Sequence, residues 1–281
     1  MINSYKLSNL SKELWPGITK QDLITYLLYV GPILTTYLQN LPLSLLRAPN
    51  GLAGAAFFQK NMPESSPETL KTWAFTRHER KTRYLLLNSP SDLVYLGNLA
   101  CIELHSWLST YQCWNKPQEI VIDLDPNPDV NFRIWQQSAF KIKDLLDKLR
   151  LKSYPKVTGR KGLHIMIPLI PNYSYEELAP FFKAIRELVI NRWPDLFTGE
   201  LYKEKRQAPI YLDLGQNGLE KTVIAPYSPR LVDGANVAVP IKWETLYSLQ
   251  EKPQWSVLQT KWPPLYSPPR YNQSLPLTFL G

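Results

Sequence analysis

Asp123 and Asp125 stand one residue apart at the end of the run Glu119-Ile120-Val121-Ile122-Asp123-Leu124-Asp125-Pro126. Strand side chains alternate between faces, so Ile120, Ile122 and Leu124 point one way and both carboxylates the other. Two neighbouring anions repel at neutral pH unless a cation lies between them, and carboxylate oxygens suit Mg²⁺ or Mn²⁺. Pro126 ends the ladder just beyond the pair, at a strand end where open α/β sheets usually carry their sites. Such a pair names no reaction by itself, since glycosyltransferases, nucleases and polymerases all use one. A third carboxylate follows in Ile210-Tyr211-Leu212-Asp213-Leu214, where Asp213 leaves the strand opposite the apolar residues.

Basic groups supply the complementary charge. The chain holds 32 Lys+Arg against 24 Asp+Glu, a net +8, which suits a polyanionic partner. The cations fall in clusters interleaved with aromatics: Arg77 to Arg83, Lys141 to Lys152, Arg160-Lys161 and Lys203 to Arg206. Basic groups beside aromatic faces suit phosphates and stacked bases. Within Thr158-Gly159-Arg160-Lys161-Gly162, exposed backbone N–H groups together with Arg160 and Lys161 form a candidate phosphate cradle.

The elements that must position these residues follow from periodicity. Thr19-Lys20-Gln21-Asp22 reads as a capping box opening an amphipathic helix over about 19–39, with Pro32 inside it. Leu41 to Leu46 reads as a strand and Arg47 to Gly51 as a turn presenting Arg47. Phe57 and Phe58 are adjacent on a strand, so at least one faces outward. Residues 61–72 read as a loop, Tyr84 to Leu87 as a strand, and Leu93 to Leu108 as a helix or helical turn carrying Glu103 and His105. Helices are expected over Phe132 to Leu149 and behind the capping box Ser174-x-x-Glu177, strands at 163–168 and 221–230, and an irregular wrap over the last 40 residues. The apolar content of 44% supports one large domain, 1–281, built of two intimate subdomains.

Other classes are disfavoured. No apolar stretch approaches the roughly 20 residues of a membrane span, and Met1 to Lys6 lack the apolar core of a signal peptide. Cys101 and Cys113 have neither metal-ligand spacing nor a disulfide framework, which points to a reducing, cytoplasmic setting.

In this order, these residues closely resemble the polymerase domain of bacterial DNA ligase D, a branch of the archaeo-eukaryotic primase superfamily. The segments are Thr19-Lys20, Leu45 to Gly51, Phe57 to Lys60, Glu103 to His105, Ile122 to Pro126, Lys161 to His164, Asp213 to Asn217, Lys221-Thr222 and Ala225 to Arg230. The resemblance implies an α/β primase-like fold of mixed sheets with an RRM-like core. It implies that Asp123, Asp125 and Asp213 are catalytic and bind two Mn²⁺ or Mg²⁺ ions. It places Thr158, Lys161, His164, Arg230 and His105 on the incoming nucleoside triphosphate, and Phe57 and Phe58 in stacking. Lys20, Arg47, Lys60 and Arg206 match basic positions near DNA phosphates, Lys20 toward a recessed 5′-phosphate. Leu46 stands where some members carry Lys, and Thr158 and Arg160 where serines are common.

The function so implied is template-dependent nucleotidyl transfer, filling gaps and extending ends in non-homologous end joining, with preference for ribonucleotides. Gapped or broken DNA bearing 5′-phosphates, an ATP-dependent DNA ligase and a Ku-type end-binding protein are the implied partners, at the nucleoid. Two rivals use the same residues: a metal-dependent nuclease, and a non-catalytic protein that bridges DNA ends.

Overall fold

The computed structural model describes residues 6–259, 265–270 and 273–275. In chain order its elements are β1 (Glu13–Trp15), β2 (Ile18–Thr19), α1 (Lys20–Leu38), β3 (Pro42–Arg47), β4 (Phe57–Gln59), β5 (Thr72–Arg77), β6 (Arg80–Leu86), α2 (Pro90–Asn98) and β7 (Cys101–Ser106). Then come β8 (Glu119–Pro126), α3 (Phe132–Lys148), β9 (Tyr154–Val157), β10 (Leu163–Pro168), α4 (Tyr175–Arg192), β11 (Phe197–Thr198), β12 (Ile210–Asp213), β13 (Val223–Ile224), β14 (Val239–Pro240) and α5 (Trp243–Ser248). Two compact units divide them. One takes Met1–Gln112, Thr222–Val239 and Gln254–Ser267; the other takes Cys113–Lys221, Pro240–Pro253 and Pro268–Gly281.

In the first unit a sheet runs β13-β7-β3-β6-β5, with β4 added to β3. Thr19 and Asp22 form the expected capping box, and Leu23, Leu27, Val30, Leu34 and Leu38 make the buried stripe of α1. That stripe packs on α2. Gly51, at φ +67°, closes the turn after β3; a Cβ there would lie 2.5 Å from the Leu14 carbonyl oxygen, so only glycine fits.

The second unit is built on β8-α3-β9-β10-α4-β12, and its four long strands lie in the order β12-β8-β10-β9, each antiparallel to its neighbour. This is the β-α-β-β-α-β split arrangement expected of an RRM-like core. Short β11 extends one edge and β14 the other. Ile120, Ile122 and Leu124 of β8, with Leu163, Ile165 and Ile167 of β10, are almost fully buried. The helices bring Trp135, Ala139, Ile142 and Leu146, and Leu178, Phe181, Ile185 and Val189, into the core.

Several expectations need correction. The helix expected over Leu93 to Leu108 stops at Asn98, and Cys101–Ser106 is β7. Ala100 takes a left-handed φ of 52° and breaks the helix, after which Cys-Ile-Glu-Leu-His-Ser alternates as a strand. Residues 221–230 hold only the two-residue β13, and Pro226 and Pro229 prevent a longer ladder. Strand β6 starts at Arg80, ahead of the strand expected at Tyr84 to Leu87, because Arg80, Lys81 and Arg83 interrupt the apolar run, and its partner β5 was not expected. Of the expected C-terminal wrap, residues 260–264, 271–272 and 276–281 lie outside the described residues, as does Met1 to Tyr5 of the N-terminus.

Candidate active site

Register brings the three aspartates together on the second unit. Asp213 of β12 is the direct cross-strand partner of Asp123, and Tyr211 is that of Asp125. On the other side of β8, His164 of β10 pairs with Asp123, and Lys156 of β9 pairs with His164. Cross-strand partners share a face. One row therefore reads Asp213, Asp123, His164, Lys156 across four strands, with Asp125 two residues along. The burial pattern of β8 changes at this point: Glu119 to Ile122 are buried on both faces, whereas Asp123 and Asp125 are half-exposed.

Protein donors attend each carboxylate. His164 Nε2 lies 3.6 Å from Asp123 Oδ2. Arg206 Nη1 lies 3.2 Å from Asp125 Oδ2, and its guanidinium stacks 4.5 Å from the Tyr211 ring centroid. Asp213 accepts from the Gly215 amide at 2.7 Å and from Gln216 at 3.4 Å. Asn217 holds the turn that follows: it donates to the Val121 carbonyl at 2.6 Å and accepts from the Val121 amide at 2.8 Å. This side chain continues the ladder where β12 stops, and it fixes the loop that carries Asp213.

The basic turn joins β9 to β10 beside this row. The Thr158 hydroxyl donates to the Gly162 carbonyl at 3.0 Å and closes the turn. A Cβ on Gly162 would lie 3.1 Å from the Leu124 carbonyl and 3.3 Å from Asp123 Oδ1, so the turn presses directly on β8. Lys161 is exposed and Thr158 buried. Lys252 donates to the Lys161 carbonyl and lies over the Trp135 ring, 5.4 Å from its centroid.

The first unit carries a second cluster, centred on Glu103 of β7. Glu103 Oε2 bonds His105 Nε2 at 2.8 Å, while Oε1 accepts from the Leu231 amide at 3.0 Å and lies 3.4 Å from Arg230 Nε. Burial pushes the Glu103 carboxyl up, but the His105 hydrogen bond, the Arg230 charge and the Leu231 amide outweigh it and bring the pKa from 4.5 to about 2. Glu103 is thus an anion that orients the Arg230 guanidinium and the His105 ring. Tyr227, three residues before Arg230, is buried at a left-handed φ of 60°. Its amide, carbonyl and hydroxyl are held by Ala238, Tyr26 and Tyr266, which maintain that strain.

Phe57 and Phe58 are both exposed, at 47% and 59%, because β4 is bonded only to β3 and leaves both its faces open. Arg47 lies over Phe57, 5.3 Å from the ring centroid, and bonds Gln59 at 2.8 Å. Phe58 meets the His105 ring edge-on at 5.3 Å. Lys60 is exposed. Lys20 is only 5% exposed, and its ammonium donates to the carbonyls of Ser8 at 2.8 Å and Asn98 at 3.0 Å. That position ties the N-terminal segment to the end of α2.

The expected residues therefore fall into two sets: Asp123, Asp125, Asp213, His164, Thr158, Lys161 and Arg206 on one unit, and Phe57, Phe58, His105, Arg230, Arg47, Lys60 and Lys20 on the other. Glu103, Asn217, Lys156 and Lys252 were not singled out by pattern. Glu103 stands two residues before His105 on an alternating strand, a spacing that puts both on one face; the other three leave no local signal.

An RRM-like sheet carrying carboxylates on its first and fourth strands, with a basic turn alongside, defines a primase-polymerase type of nucleotidyltransferase. A sequence model of the LigD primase-polymerase domain matches residues 19–261, and the chain belongs to that family. It is 36% identical over 231 residues to a bifunctional non-homologous end joining protein LigD of Bacillus subtilis, covering 82% of this chain and 37% of the relative. A multifunctional LigD of Mycolicibacterium smegmatis is 31% identical over 245 residues, covering 86% of this chain and 32% of the relative. The chain thus spans about a third of the length of these curated relatives. The solved polymerase domain of Mycobacterium tuberculosis ligase D, in complex with DNA, superposes with a TM-score of 0.84 at 28% identity, covering 90% of this chain and 92% of that one. No helix among the described residues is long and apolar enough to cross a membrane.

Proposed function

We propose that this chain is a template-dependent polymerase that fills gaps and extends ends during non-homologous end joining, using Asp123, Asp125 and Asp213 as its catalytic carboxylates. The observation that carries this reading is the cross-strand register of Asp213 with Asp123, which places three carboxylates on one face beside a basic turn. The similarity to a ligase D polymerase domain solved with DNA supports the substrate.

Among the described residues, no three carboxylate, imidazole or thiolate groups converge as a ready-made metal site. The donor set nonetheless fits hard divalent cations, being all carboxylate oxygen on adjacent strands, with Arg206 now balancing Asp125. Two such ions, Mn²⁺ or Mg²⁺, would activate the primer 3′-hydroxyl and stabilise the leaving pyrophosphate. The chain's own residues bind and orient. The turn from Thr158 to Gly162, with Lys161, receives the triphosphate, and His164 holds Asp123. Arg230 and His105, oriented by Glu103, bind the nucleotide, and Phe57 and Phe58 stack on bases. Arg47 and Lys60 meet DNA phosphate. A preference for ribonucleotides, and recruitment through a ligase and a Ku-type protein, rest on the family resemblance.

Primer extension on gapped, 5′-phosphorylated DNA tests the reading, with ribo- or deoxynucleoside triphosphates and Mn²⁺ or Mg²⁺. The wild type extends, most strongly with ribonucleotides, while Asp125→Ala loses at least about 100-fold in rate and keeps its DNA affinity. Shortening of DNA without nucleotides would instead establish a nuclease, and tight binding without extension a bridging protein.

A further inference from the structure

Lys252 lies far in sequence from every residue assigned above, yet its ammonium reaches the nucleotide-binding turn. It donates to the carbonyl of Lys161, at the apex of that turn. Its other neighbour is the face of Trp135 on α3, so the cation is held between a carbonyl and an indole ring, half-buried. We infer that Lys252 is a positioning residue for the incoming triphosphate: it holds the Lys161–Gly162 peptide so that the Gly162 N–H is available to a phosphate oxygen. This rests on the polymerase reading and deepens it.

Peptide geometry gives the reason. The bond is trans, as are all those described, so the carbonyl and the following N–H point in opposite directions within one plane. An ammonium bound to the Lys161 oxygen therefore turns the Gly162 N–H away from itself. Among the described residues that N–H donates to no protein acceptor, whereas the Gly162 carbonyl is taken by Thr158. Gly162 lies close to Asp123, since a Cβ added to it would sit 3.3 Å from Asp123 Oδ1, so an anion received there lies beside the catalytic carboxylates. Holding the peptide in advance removes an ordering cost from nucleotide binding.

The test uses Lys252→Met and Lys252→Arg in the full chain, with steady-state extension over a range of nucleotide concentrations and thermal unfolding alongside. Lys252→Met raises KM for the nucleotide about tenfold with kcat nearly unchanged, and Lys252→Arg restores most of the loss. A wild-type KM in Lys252→Met overturns the inference. Should Lys252→Met unfold, Lys252→Ala takes its place, and a wild-type KM in that variant overturns the inference instead. Failure of the wild type to extend any primer would defeat the polymerase reading and is a separate outcome.

Discussion

At the scale of single residues, the two clusters solve opposite problems. Asp123, Asp125 and Asp213 concentrate negative charge at a half-exposed surface, where Arg206 offsets part of it and the His164 ring lies beside Asp123. Glu103 does the reverse, placing one buried anion among His105, Arg230 and a backbone amide. With its carboxyl held at about 2 against an ordinary 4.5, Glu103 favours the folded state fully above pH 4.5, and that contribution fades as pH falls toward 2. The shift corresponds to about 3 kcal/mol. Glu103→Gln should thus lower stability at pH 7 by about that amount and flatten the acid limb between pH 4.5 and 2, as followed by urea unfolding. It should also raise KM for the nucleotide, because Arg230 and His105 lose the anion that orients them. An unchanged acid limb would mean that Glu103 is not ionised within this cluster.

At the scale of elements, β8 is held as much by a side chain as by its neighbours. Beyond Asp213 the antiparallel partner ends, and Asn217 supplies both hydrogen bonds that Val121 would otherwise lack. Asn217→Ala leaves a buried amide and a carbonyl unpaired, at a cost of about 1–3 kcal/mol each at most. A lowered unfolding midpoint together with a larger fall in kcat than in KM would show that the turn positions Asp213; a fall in midpoint alone would reduce Asn217 to packing. The contrast with legibility is instructive. The alternation of β8 and β12 was readable from Ile, Leu and Asp alone, and so were α1 and α4 from their capping boxes. Asn217 gives no local signal of this bond, because its partner lies 96 positions away. Strand β7 read as helix, since Leu93, Leu96, Ala100 and Leu104 satisfy helical spacing until the left-handed Ala100 interrupts them. Asp213 facing Asp123 needs the register of β12 against β8, which alternation alone does not give, and Lys252 meeting Lys161 follows only from the folded chain, which returns to the second unit after leaving it.

At the scale of the whole molecule, the +8 net charge overstates what a polyanion meets. Lys20 is occupied by two carbonyls, Arg206 by Asp125 and the carbonyls of Glu200 and Leu201, and Arg230 lies against Glu103. Those cations stabilise the fold and its sites. Lys60, Lys161 and the hairpin tip of Arg77, Arg80 and Lys81 are solvent-exposed and able to displace counterions from DNA. Each phosphate contact on a duplex contributes about 0.9 to the slope of log affinity against log salt. Lys60→Ala should therefore flatten that slope by about 0.9 while leaving the unfolding midpoint nearly unchanged. Lys20→Ala should do the opposite, lowering the midpoint through two lost carbonyl bonds and keeping the wild-type slope. A slope that falls with Lys20→Ala would mean that this ammonium leaves its carbonyls for a DNA phosphate, which would return it to the 5′-phosphate role that the family resemblance implies. Titrating both variants across a range of salt on the same 5′-phosphorylated duplex separates a charge that folds the protein from one that finds the DNA.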